Sequence, residues 1–292
     1  MSFKMSLLRI AHLSDPHFGT TRLDVVDGLL NILKKIQPTL ILLTGDITQR
    51  ARANQFKAAK DFVDQLGPAA VIAVPGNHDI SLGNIYARIF HPYKGYKNIF
   101  KQKLEQHIVL EDLCITCLNS TSRWRHIQGD FQNSYLEKQF QENYSYCKVR
   151  IVAFHHPMDC AKHVDDKNLL KSRNHAIALF ERHKVDMIVS GHIHDPYVSL
   201  SEDRYPHIQR KMILSVAGTC LSSRTRAGAP NSFNLIEINT DLIPSITLTR
   251  FDMDLWFHFS PKETHRFSRD PNLSWNREPS SWAGNLTEHP RQ

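Results

Sequence analysis

The sequence predicts an α/β protein with two β-sheets, and the order of its hydrophobic patterns is the main reason. In residues 7–79, buried-strand patterns alternate with amphipathic helix patterns, which indicates βαβ units and a parallel sheet covered by helices on both faces. In residues 197–251, several strand patterns follow one another without a helix, which favours antiparallel pairing. The earlier strands are therefore expected to be mainly parallel and the later ones antiparallel.

Three strands and two helices account for the first part of the chain. Each strand is a short, continuous apolar segment, and each helix carries apolar residues at three- and four-residue spacing on one face. Gly67 is expected to end the second helix. The predicted strands lie at 7–13, 38–46 and 69–79, and the predicted helices lie at 24–36 and 52–66.

Further strands and helices are predicted up to residue 251. Beyond that point the periodicity stops, and the sequence becomes polar and contains several prolines. We therefore predict one domain over residues 1–251 and a polar carboxyl-terminal tail over 252–292. The additional elements are two strands around Glu111 and Asp112, a short helix after 133, strands at 147–154 and 185–194, a helix at 168–182 and four strands between 197 and 251.

Composition places the chain among globular proteins. Its 292 residues are 41% hydrophobic and 22% charged. No apolar stretch approaches the roughly 20 residues that cross a bilayer, and the amino-terminal apolar segment is too short for a signal peptide. The net charge of +7 indicates an anionic partner, either a phosphate, a nucleic acid or a membrane surface.

Cysteine usage favours a reducing compartment. The chain has five cysteines, an odd number, and its CxxC motif consists of Cys114 and Cys117. A zinc site of this type needs a second pair, so the two residues are interpreted as small apolar residues of a strand. We expect a cytoplasmic protein, with peripheral contact at the inner face of the membrane as an open alternative.

Five of the predicted strands end in side chains that bind metals. Because the carboxyl ends of parallel strands meet at one edge of a sheet, these side chains are expected to lie together. Each motif alone is explained by a turn or a helix cap, but five motifs at one edge indicate a shared cation. The candidate ligands are Asp15, His17, Asp46, Asn77, His155, His192 and His194.

The type and number of these ligands restrict the metal. Carboxylate, amide and imidazole groups without thiolates suit manganese or iron best, and zinc is also compatible with them. Seven side chains are too many for one ion and enough for two if one carboxylate bridges. Two ions about 3.5–4 Å apart would clamp a phosphoryl group, and a bridging hydroxide would attack it in line. The prediction is therefore two divalent or trivalent metal ions.

The motifs resemble those of the calcineurin-like, or purple-acid-phosphatase-like, metallophosphoesterases. The family order D-x-H, G-D, G-N-H-D, H, G-H-x-H is present between Asp15 and His194, and the resemblance covers about residues 7–250. The segments STSRWRHIQGDFQNSYLEKQF and AGTCLSSRTRAGAPNSFNLIEI look like the bacterial branch described as cyclic-nucleotide phosphodiesterase-like. The resemblance implies a four-layer αββα sandwich of two mixed β-sheets flanked by helices.

The resemblance also implies a role for each metal ligand, with Asp46 as the bridge. His155 is preferred to His156 as a ligand, because the ligand in the family stands two residues before the proline. One ion would be held by Asp15, His17, Asp46 and His194, and the other by Asp46, Asn77, His155 and His192.

Further side chains are expected to meet the substrate. The family implies that His78 binds the phosphate or protonates the leaving oxygen and that Asp79 orients it, and histidine suits acid catalysis near pH 7. Asn77 and His156 would also face the substrate. At least one loop arginine is expected to hold a substrate phosphate, because a guanidinium matches phosphate oxygens. The candidates are Arg123, Arg125, Arg224 and Arg226.

The predicted activity is hydrolysis of a phosphodiester or pyrophosphate bond in a nucleotide-type substrate. A cyclic-nucleotide phosphodiesterase-like enzyme comes first, and a UDP-2,3-diacylglucosamine pyrophosphatase-type enzyme of lipid A synthesis at the membrane surface is the alternative. A nuclease, a protein phosphatase and a metal-free scaffold are less favoured, because the sequence lacks their extra domains or inserts and keeps every ligand. The expected partner is a small anionic phosphoester, with no obligatory nucleic acid and an open oligomeric state.

Residues 81–106 are expected to form a cap over the site. This insert follows the ligand Asn77 closely in the chain and combines aromatic and aliphatic residues with five basic ones. Gly83 and Gly95 would divide it into two short helices. Such a cap is expected to cover the pocket with its apolar side, to attract an anionic substrate or lipid, and so to select the substrate.

Overall fold

Two facing sheets carry the helices of the fold on their outer sides. A computed structural model describes residues 7–125, 127–140, 146–226 and 228–279, and these ranges contain thirteen strands and seven α-helices. The strands are β1 (Leu7–Leu13), β2 (Leu40–Thr44), β3 (Ala70–Val74), β4 (Gln106–Leu110), β5 (Leu113–Cys117), β6 (Val149–Ala153), β7 (Met187–Ser190), β8 (Tyr197–Leu200), β9 (Ile213–Val216), β10 (Ser232–Asn239), β11 (Ser245–Met253), β12 (Phe259–Arg269) and β13 (Trp275–Arg277). The helices are α1 (Leu23–Ile36), α2 (Ala53–Val63), α3 (Ile85–Phe90), α4 (Lys94–Phe100), α5 (Asn133–Gln139), α6 (Arg173–Arg182) and α7 (Ser201–Arg204).

Both sheets are mixed. The seven-stranded sheet has the order β13-β12-β11-β10-β1-β2-β3, in which β1, β2 and β3 are parallel and the strands from β10 to β13 are antiparallel. The six-stranded sheet has the order β4-β5-β6-β7-β9-β8, in which β5, β6, β7 and β9 are parallel and the outer strands β4 and β8 are antiparallel. The parallel strands of both sheets therefore end at edges where loops can supply ligands.

Apolar layers join the sheets to each other and to the helices. Ile10 of the first sheet and Ile151 of the second lie in the core between the sheets. Leu29 of α1 and Phe56 of α2 pack on the outer face of the first sheet, and Phe180 of α6 packs on the outer face of the second. Each such side chain contributes about 1.5–3 kcal/mol when it is fully buried. This is the αββα sandwich, and the predicted fold class is confirmed.

The folded region continues past residue 251, where the sequence predicts the start of a polar tail. β12 pairs with β11 over most of its length, and β13 forms the outer strand of the sheet. Phe267 and Trp275 are fully buried in the core between the sheets. The middle of β12 is exposed, so its sequence lacks the alternation that marks a half-buried strand. The predicted tail is thus corrected over β12 and β13, and residues 280–292 lie outside the described residues.

The insert at 81–106 contains two short helices, as predicted. The break between them lies at residues 91–93, so Gly95 is inside α4 and does not separate the helices. A Cβ on Gly95 would come within 2.2 Å of the Phe56 ring, so this glycine lets α4 approach α2 closely. Tyr96 of α4 is fully buried, and its hydroxyl donates to the carbonyl oxygen of Ala73 at 2.6 Å. By contrast, α3 has no buried residue. Half of the predicted cap is therefore part of the core.

One disulfide connects neighbouring strands of the second sheet. Cys114 in β5 and Cys147, which precedes β6, are joined with a Cα–Cα distance of 5.9 Å. These two cysteines are 33 residues apart in the chain. The other member of the CxxC motif, Cys117, is a free, buried cysteine. Disulfides are typical of oxidising compartments, whereas the sequence analysis favoured a reducing one. The cytoplasmic location therefore stays a prediction. Within the described ranges, no helix is long and apolar enough to cross a bilayer.

Candidate metal centre

The carboxyl ends of β1, β2, β3, β6 and β7 bring all seven predicted ligands together. The ligand atoms of Asp15, His17 and His194 lie within 4.8 Å of one another, and so do those of Asp15, Asp46 and His155. The remaining two ligands surround His155, whose Nε2 lies 3.1 Å from Oδ1 of Asn77 and 3.2 Å from Nδ1 of His192. We call this set the metal centre.

Asp46 lies in the middle of the metal centre. Its Oδ2 is 3.6 Å from Nε2 of His17, and its Oδ1 is 3.4 Å from Nε2 of His155. One carboxylate thus faces both halves of the cluster, which is the geometry that a bridging ligand requires. Burial opposes ionisation of Asp46, but the neighbouring histidines, His155 first, outweigh burial and hold its pKa well below the usual range.

Five of the seven ligands have a left-handed backbone conformation. A non-glycine residue in this region is uncommon and costs roughly 1–2 kcal/mol. Strain of this kind is concentrated where a turn must aim a side chain at a functional site. The φ angles are 50° at Asp15, 46° at His17, 48° at Asp46, 73° at His192 and 61° at His194.

Two motif glycines allow the ligand-bearing turns to touch. A Cβ on Gly76 would lie 2.0 Å from the backbone nitrogen of Asp46. A Cβ on Gly191 would lie 1.8 Å from Oγ of Ser14 and 2.4 Å from Oδ2 of Asp15. The G-N-H-D and G-H-x-H motifs therefore need glycine because each turn packs directly against a turn that carries another ligand.

Backbone carbonyl groups orient three histidines of this region. A carbonyl oxygen only accepts, so each bonded Nδ1 carries a proton, and Nε2 of the neutral ring presents a lone pair to the cluster. Proteins commonly orient metal-binding histidines in this way. The bonds join Nδ1 of His155 to Thr44 O at 2.7 Å, Nδ1 of His194 to Arg224 O at 2.7 Å and Nδ1 of His78 to Gln49 O at 2.8 Å. Sequence reasoning missed these partners, because a backbone oxygen has no sequence signature.

The metal centre requires positive charge among its ligands. Nε2 of His194 lies 3.0 Å from Nε2 of His17 and 3.2 Å from Oδ1 of Asp15, so lone pairs converge in a buried space. Burial lowers the pKa of His155, but the carboxylates of Asp46 and Asp15 outweigh it and raise the pKa to about 9. Protons or metal cations can satisfy this demand. The donor set, with carboxylate, amide and imidazole groups, fits manganese, iron or zinc.

His78 lies at the accessible side of the centre. Its side chain is 16% exposed, whereas those of His17 and His155 are fully buried. Its Nε2 is 4.0 Å from Oδ2 of Asp46, and the Gln49 carbonyl holds its Nδ1. His78 is therefore more accessible to a substrate than His17 and His155 are.

Asp79 joins two of the ligand-bearing turns. Its carboxylate accepts hydrogen bonds of 2.8–3.1 Å from the backbone of Gly76, Ile47 and Thr48 and from the Thr48 hydroxyl. These bonds fill the accepting capacity of the two oxygens. Burial and the charge of Asp46 raise the pKa of Asp79 to about 6. Asp79 thus holds the turns after β2 and β3 together, while the His78 ring takes its orientation from a carbonyl group.

His156 turns toward the loop after β5. Its Nδ1 lies 2.8 Å from Oγ of Ser120, a partner that the sequence analysis did not identify. Its ring centroid remains 4.9 Å from that of His155 and 4.6 Å from that of His192. Ligand atoms of His155, His156 and His192 lie within 4.8 Å of one another, and Nε2 of His155 also lies 3.4 Å from Oδ1 of Asp46. The choice of His155 as the ligand stays a prediction.

Two of the four predicted arginines contact residues of the metal centre region. Nη1 of Arg224 donates to Oε1 of Gln49 at 3.2 Å, next to the carbonyl that orients His78. Nε of Arg226 donates to the carbonyl oxygen of Ile193 at 2.8 Å. Ile193 stands between the predicted ligands His192 and His194 in the sequence. Arg224 therefore brings a guanidinium close to the accessible side of the centre.

The other two arginines lie in the loop after β5. Arg123 donates to the carbonyl oxygen of Ile89 in α3, and Arg125 forms an ion pair with Asp130. Both arginines line a cavity that this loop shares with the insert at 81–106. The structure thus separates the four predicted arginines into two pairs with different surroundings.

The family of the chain follows from comparison with known proteins. The sequence profile of the family described as calcineurin-like phosphoesterase matches residues 8–196, well over half of the chain. The chain belongs to the calcineurin-like phosphoesterase family. It is therefore a hydrolytic phosphoesterase, and the family implies a dinuclear metal site.

Individual relatives agree with this family. A probable cyclic nucleotide phosphodiesterase of Pseudoalteromonas sp. strain SM9913 is 25% identical over 219 residues, which cover 67% of this chain and 74% of the relative. A probable glycerophosphodiester phosphodiesterase, GpdQ, of Arcobacter nitrofigilis is 26% identical over 202 residues, which cover 63% and 71%. The predicted family is thus confirmed.

Solved structures share the fold. A purple acid phosphatase from yellow lupin seeds has a TM-score of 0.66 at 13% identity, and the match covers 92% of this chain and 55% of the lupin chain. A dimetal phosphatase of Danio rerio has a TM-score of 0.60 at 12% identity, with coverage of 89% and 98%. At these identities the likeness supports the αββα fold alone.

Proposed function

We propose that the chain hydrolyses a phosphodiester or pyrophosphate bond of a nucleotide-type substrate at a two-metal centre. The convergence of the seven family ligands around Asp46 is the observation that carries this proposal. Two bound ions would polarise the phosphoryl oxygens and lower the pKa of the attacking water. The proposed ligands are Asp15, His17, Asp46 and His194 for one ion and Asp46, Asn77, His155 and His192 for the other.

His78 is the proposed general acid. Its Nδ1 is held by the Gln49 carbonyl, so Nε2 is the nitrogen that can give a proton to the leaving oxygen. The Nδ1–H bond to the carbonyl is present before and after that transfer, so it fixes the orientation of the ring and leaves Nε2 as the nitrogen that gives up the proton. A proton donor held in one orientation is what acid catalysis requires. Asp79 would act as a positioning residue through the turns that it joins.

Arg224 is the favoured phosphate-binding arginine. Its backbone oxygen orients His194, and its guanidinium bonds to Gln49, whose carbonyl orients His78. The residue is therefore held at its backbone and at its guanidinium beside the place where the phosphate would bind. A guanidinium in this position can pair with a phosphate oxygen that the metal ions leave open.

A lipid-linked pyrophosphate is the second candidate substrate. α3 exposes large apolar side chains, with exposed fractions of 71% for Ile85, 66% for Tyr86 and 61% for Phe90. Residues 80–104 contain five basic residues and no acidic one. Apolar anchors with surrounding cations suit the surface of an anionic membrane. This observation supports a membrane-surface enzyme of the UDP-2,3-diacylglucosamine pyrophosphatase type at the inner face of the membrane.

A substrate panel tests both candidates. Protein loaded with manganese, iron or zinc is incubated with phosphomonoesters, cyclic nucleotides, UDP-2,3-diacylglucosamine and single-stranded DNA, and bound metal is counted by mass spectrometry. We expect two ions per chain and the fastest turnover on a nucleotide diester. A single tightly bound ion would contradict the bridging role of Asp46, and preferential cleavage of the lipid substrate would favour the second candidate.

A further inference from the structure

We infer that the cavity beside the metal centre binds the organic group attached to the substrate phosphate and prefers a planar aromatic group. This inference rests on the proposed function, which brings the phosphate to the metal centre. The cavity has a volume of about 570 Å³ and opens between the insert at 81–106 and the loop after β5. Tyr93 and Glu105 line one side, and Thr121 and Trp124 line the other.

The cavity adjoins the metal centre through His156. Oγ of Ser120 and Nδ1 of His156 are joined by a hydrogen bond of 2.8 Å. Thr121, the next residue after Ser120, lines the cavity. A Cβ on Gly129 would lie 2.3 Å from the His156 ring, so the same loop packs against that ring a second time. The His156 ring in turn lies 4.6 Å from the ring of His192. The loop that lines the cavity is therefore linked to the metal centre through the His156 ring.

The walls of the cavity offer an aromatic surface. Trp124 is 72% exposed although it lines the cavity, so most of its indole surface is available for stacking. The guanidinium carbon of Arg123 lies 5.9 Å from the centre of that ring. Tyr93 and Tyr135 contribute two further aromatic rings to the lining. Stacking on such side chains is the usual way in which proteins hold planar heteroaromatic groups.

Three polar side chains at the cavity, those of Asn119, Thr121 and Tyr93, are held in place by hydrogen bonds to one another. Oδ1 of Asn119 accepts from the backbone nitrogen and the hydroxyl of Thr121, and its Nδ2 donates to the Tyr93 hydroxyl at 3.0 Å. Burial raises the pKa of the Tyr135 hydroxyl, and the Glu105 carboxylate adds to the shift, so this hydroxyl stays protonated at neutral pH. A ring with polar edges can therefore find ordered partners here.

The charges of the lining favour an uncharged group. Arg125 and Asp130 form an ion pair, so their charges cancel within the wall. The remaining charged groups, Glu105 and Arg123, are of opposite sign. A second phosphate would gain little from a wall with no net charge, whereas a neutral aromatic ring avoids an unpaired buried charge. The stacking surface and the charge thus point to the same class of group.

Binding of two matched phosphates tests the inference. Adenosine 5′-monophosphate and ribose 5-phosphate share the phosphate and the sugar and differ only in the aromatic group. With manganese-loaded protein in isothermal titration calorimetry, we expect the adenosine compound to bind about 5–150-fold more tightly, as one stacked base contributes. Trp124→Ala should bring the ratio close to one, and Trp124→Phe should keep most of it.

The matched control is Trp256→Ala, because Trp256 is 78% exposed in the hairpin between β11 and β12 and does not line the cavity. This variant should keep the wild-type ratio. The inference is overturned if the two phosphates bind equally tightly to the wild type. It is also overturned if Trp124→Ala leaves the ratio of their dissociation constants unchanged, even where both phosphates bind more weakly. If neither phosphate binds to the metal-loaded protein, the proposed function itself fails, and the role of the cavity fails with it.

Discussion

The metal centre and the neighbouring cavity are built in different ways. In the centre, each ligand follows a strand by a few residues, so strand register and one short motif place it. In the cavity, the insert at 81–106 meets a separate loop, and contacts such as the 2.8 Å bond between the Tyr93 and Thr121 hydroxyl groups join them. The centre is specified locally along the chain, whereas the cavity depends on packing between distant segments.

The two regions also differ in burial. Asp15, His17 and His155 are fully buried, but Trp124 in the cavity wall is 72% exposed. A buried, strained ligand set tolerates little change, because every group is fixed by several partners. An exposed wall can change without loss of the fold. Catalysis and substrate preference should therefore be separable by mutation.

Asp46→Ala should have the largest effect, because it removes the carboxylate that faces both halves of the centre. We expect activity on bis(p-nitrophenyl) phosphate to fall by more than the roughly 10²–10⁴-fold that loss of a general acid costs, together with loss of bound metal. His192→Ala serves as the comparison, since His192 is proposed to hold one ion. Activity and metal content are measured on both variants. Equal losses in the two would contradict the bridging role of Asp46.

His78→Ala should have the next largest effect, and it should leave the metal content nearly intact. We expect turnover to fall about 10²–10⁴-fold on a substrate with a poor leaving group and by less on a nitrophenyl ester, which needs little protonation. His258→Ala is the control, because His258 is an exposed histidine in the β11–β12 hairpin. If good and poor leaving groups lose equal activity, His78 binds phosphate and does not act as an acid.

Replacement of α3 should change substrate preference while it spares the chemistry. The whole insert cannot be removed cleanly, because Tyr96 of α4 belongs to the core, so a short linker should replace residues 82–91 only. We expect hydrolysis of methyl p-nitrophenyl phosphate to stay near the wild-type rate. Arg123 donates a hydrogen bond to the carbonyl oxygen of Ile89, and its guanidinium lies beside the Trp124 ring. Since the linker removes Ile89, we expect the preference for the adenosine compound over ribose 5-phosphate to fall by about tenfold. Unchanged preference would assign α3 a structural role only.

The difference between the regions also explains what the sequence could predict. Asp46 and His194 were identified because carboxylate and imidazole groups at strand ends are visible in the sequence. The carbonyl of Gln49 was not, because any residue carries the same group. Gly95 was expected to break a helix, but its contact with Phe56 keeps it inside α4. Local rules therefore predicted the ligands, and tertiary contacts decided the rest.

The strand order illustrates the same limit on a larger scale. β1 pairs with β10 through residues such as Leu7 and Asn239, which lie more than 200 positions apart in the chain. No local pattern encodes that pairing. β12 escaped prediction for a different reason, since its exposed middle has too few apolar positions to show a period of two. The αββα arrangement came from the family resemblance, and the layers of apolar contacts confirm it.

Tyr96→Phe should have the smallest effect of the set, and it tests whether α4 is anchored as core. The substitution keeps the ring against Phe100 but removes the hydroxyl that donates to Ala73 in the outer strand β3. A buried carbonyl that loses its partner costs about 1–3 kcal/mol, so the free energy of unfolding in urea should fall by that amount. Tyr86→Phe on exposed α3 should change it by less than about 0.5 kcal/mol. Neither variant should alter turnover of methyl p-nitrophenyl phosphate, because neither hydroxyl belongs to the metal centre. If the two variants have the same free energy of unfolding, the Tyr96 hydroxyl does not anchor α4 more firmly than α3 is anchored. The whole insert would then be interpreted as a cap.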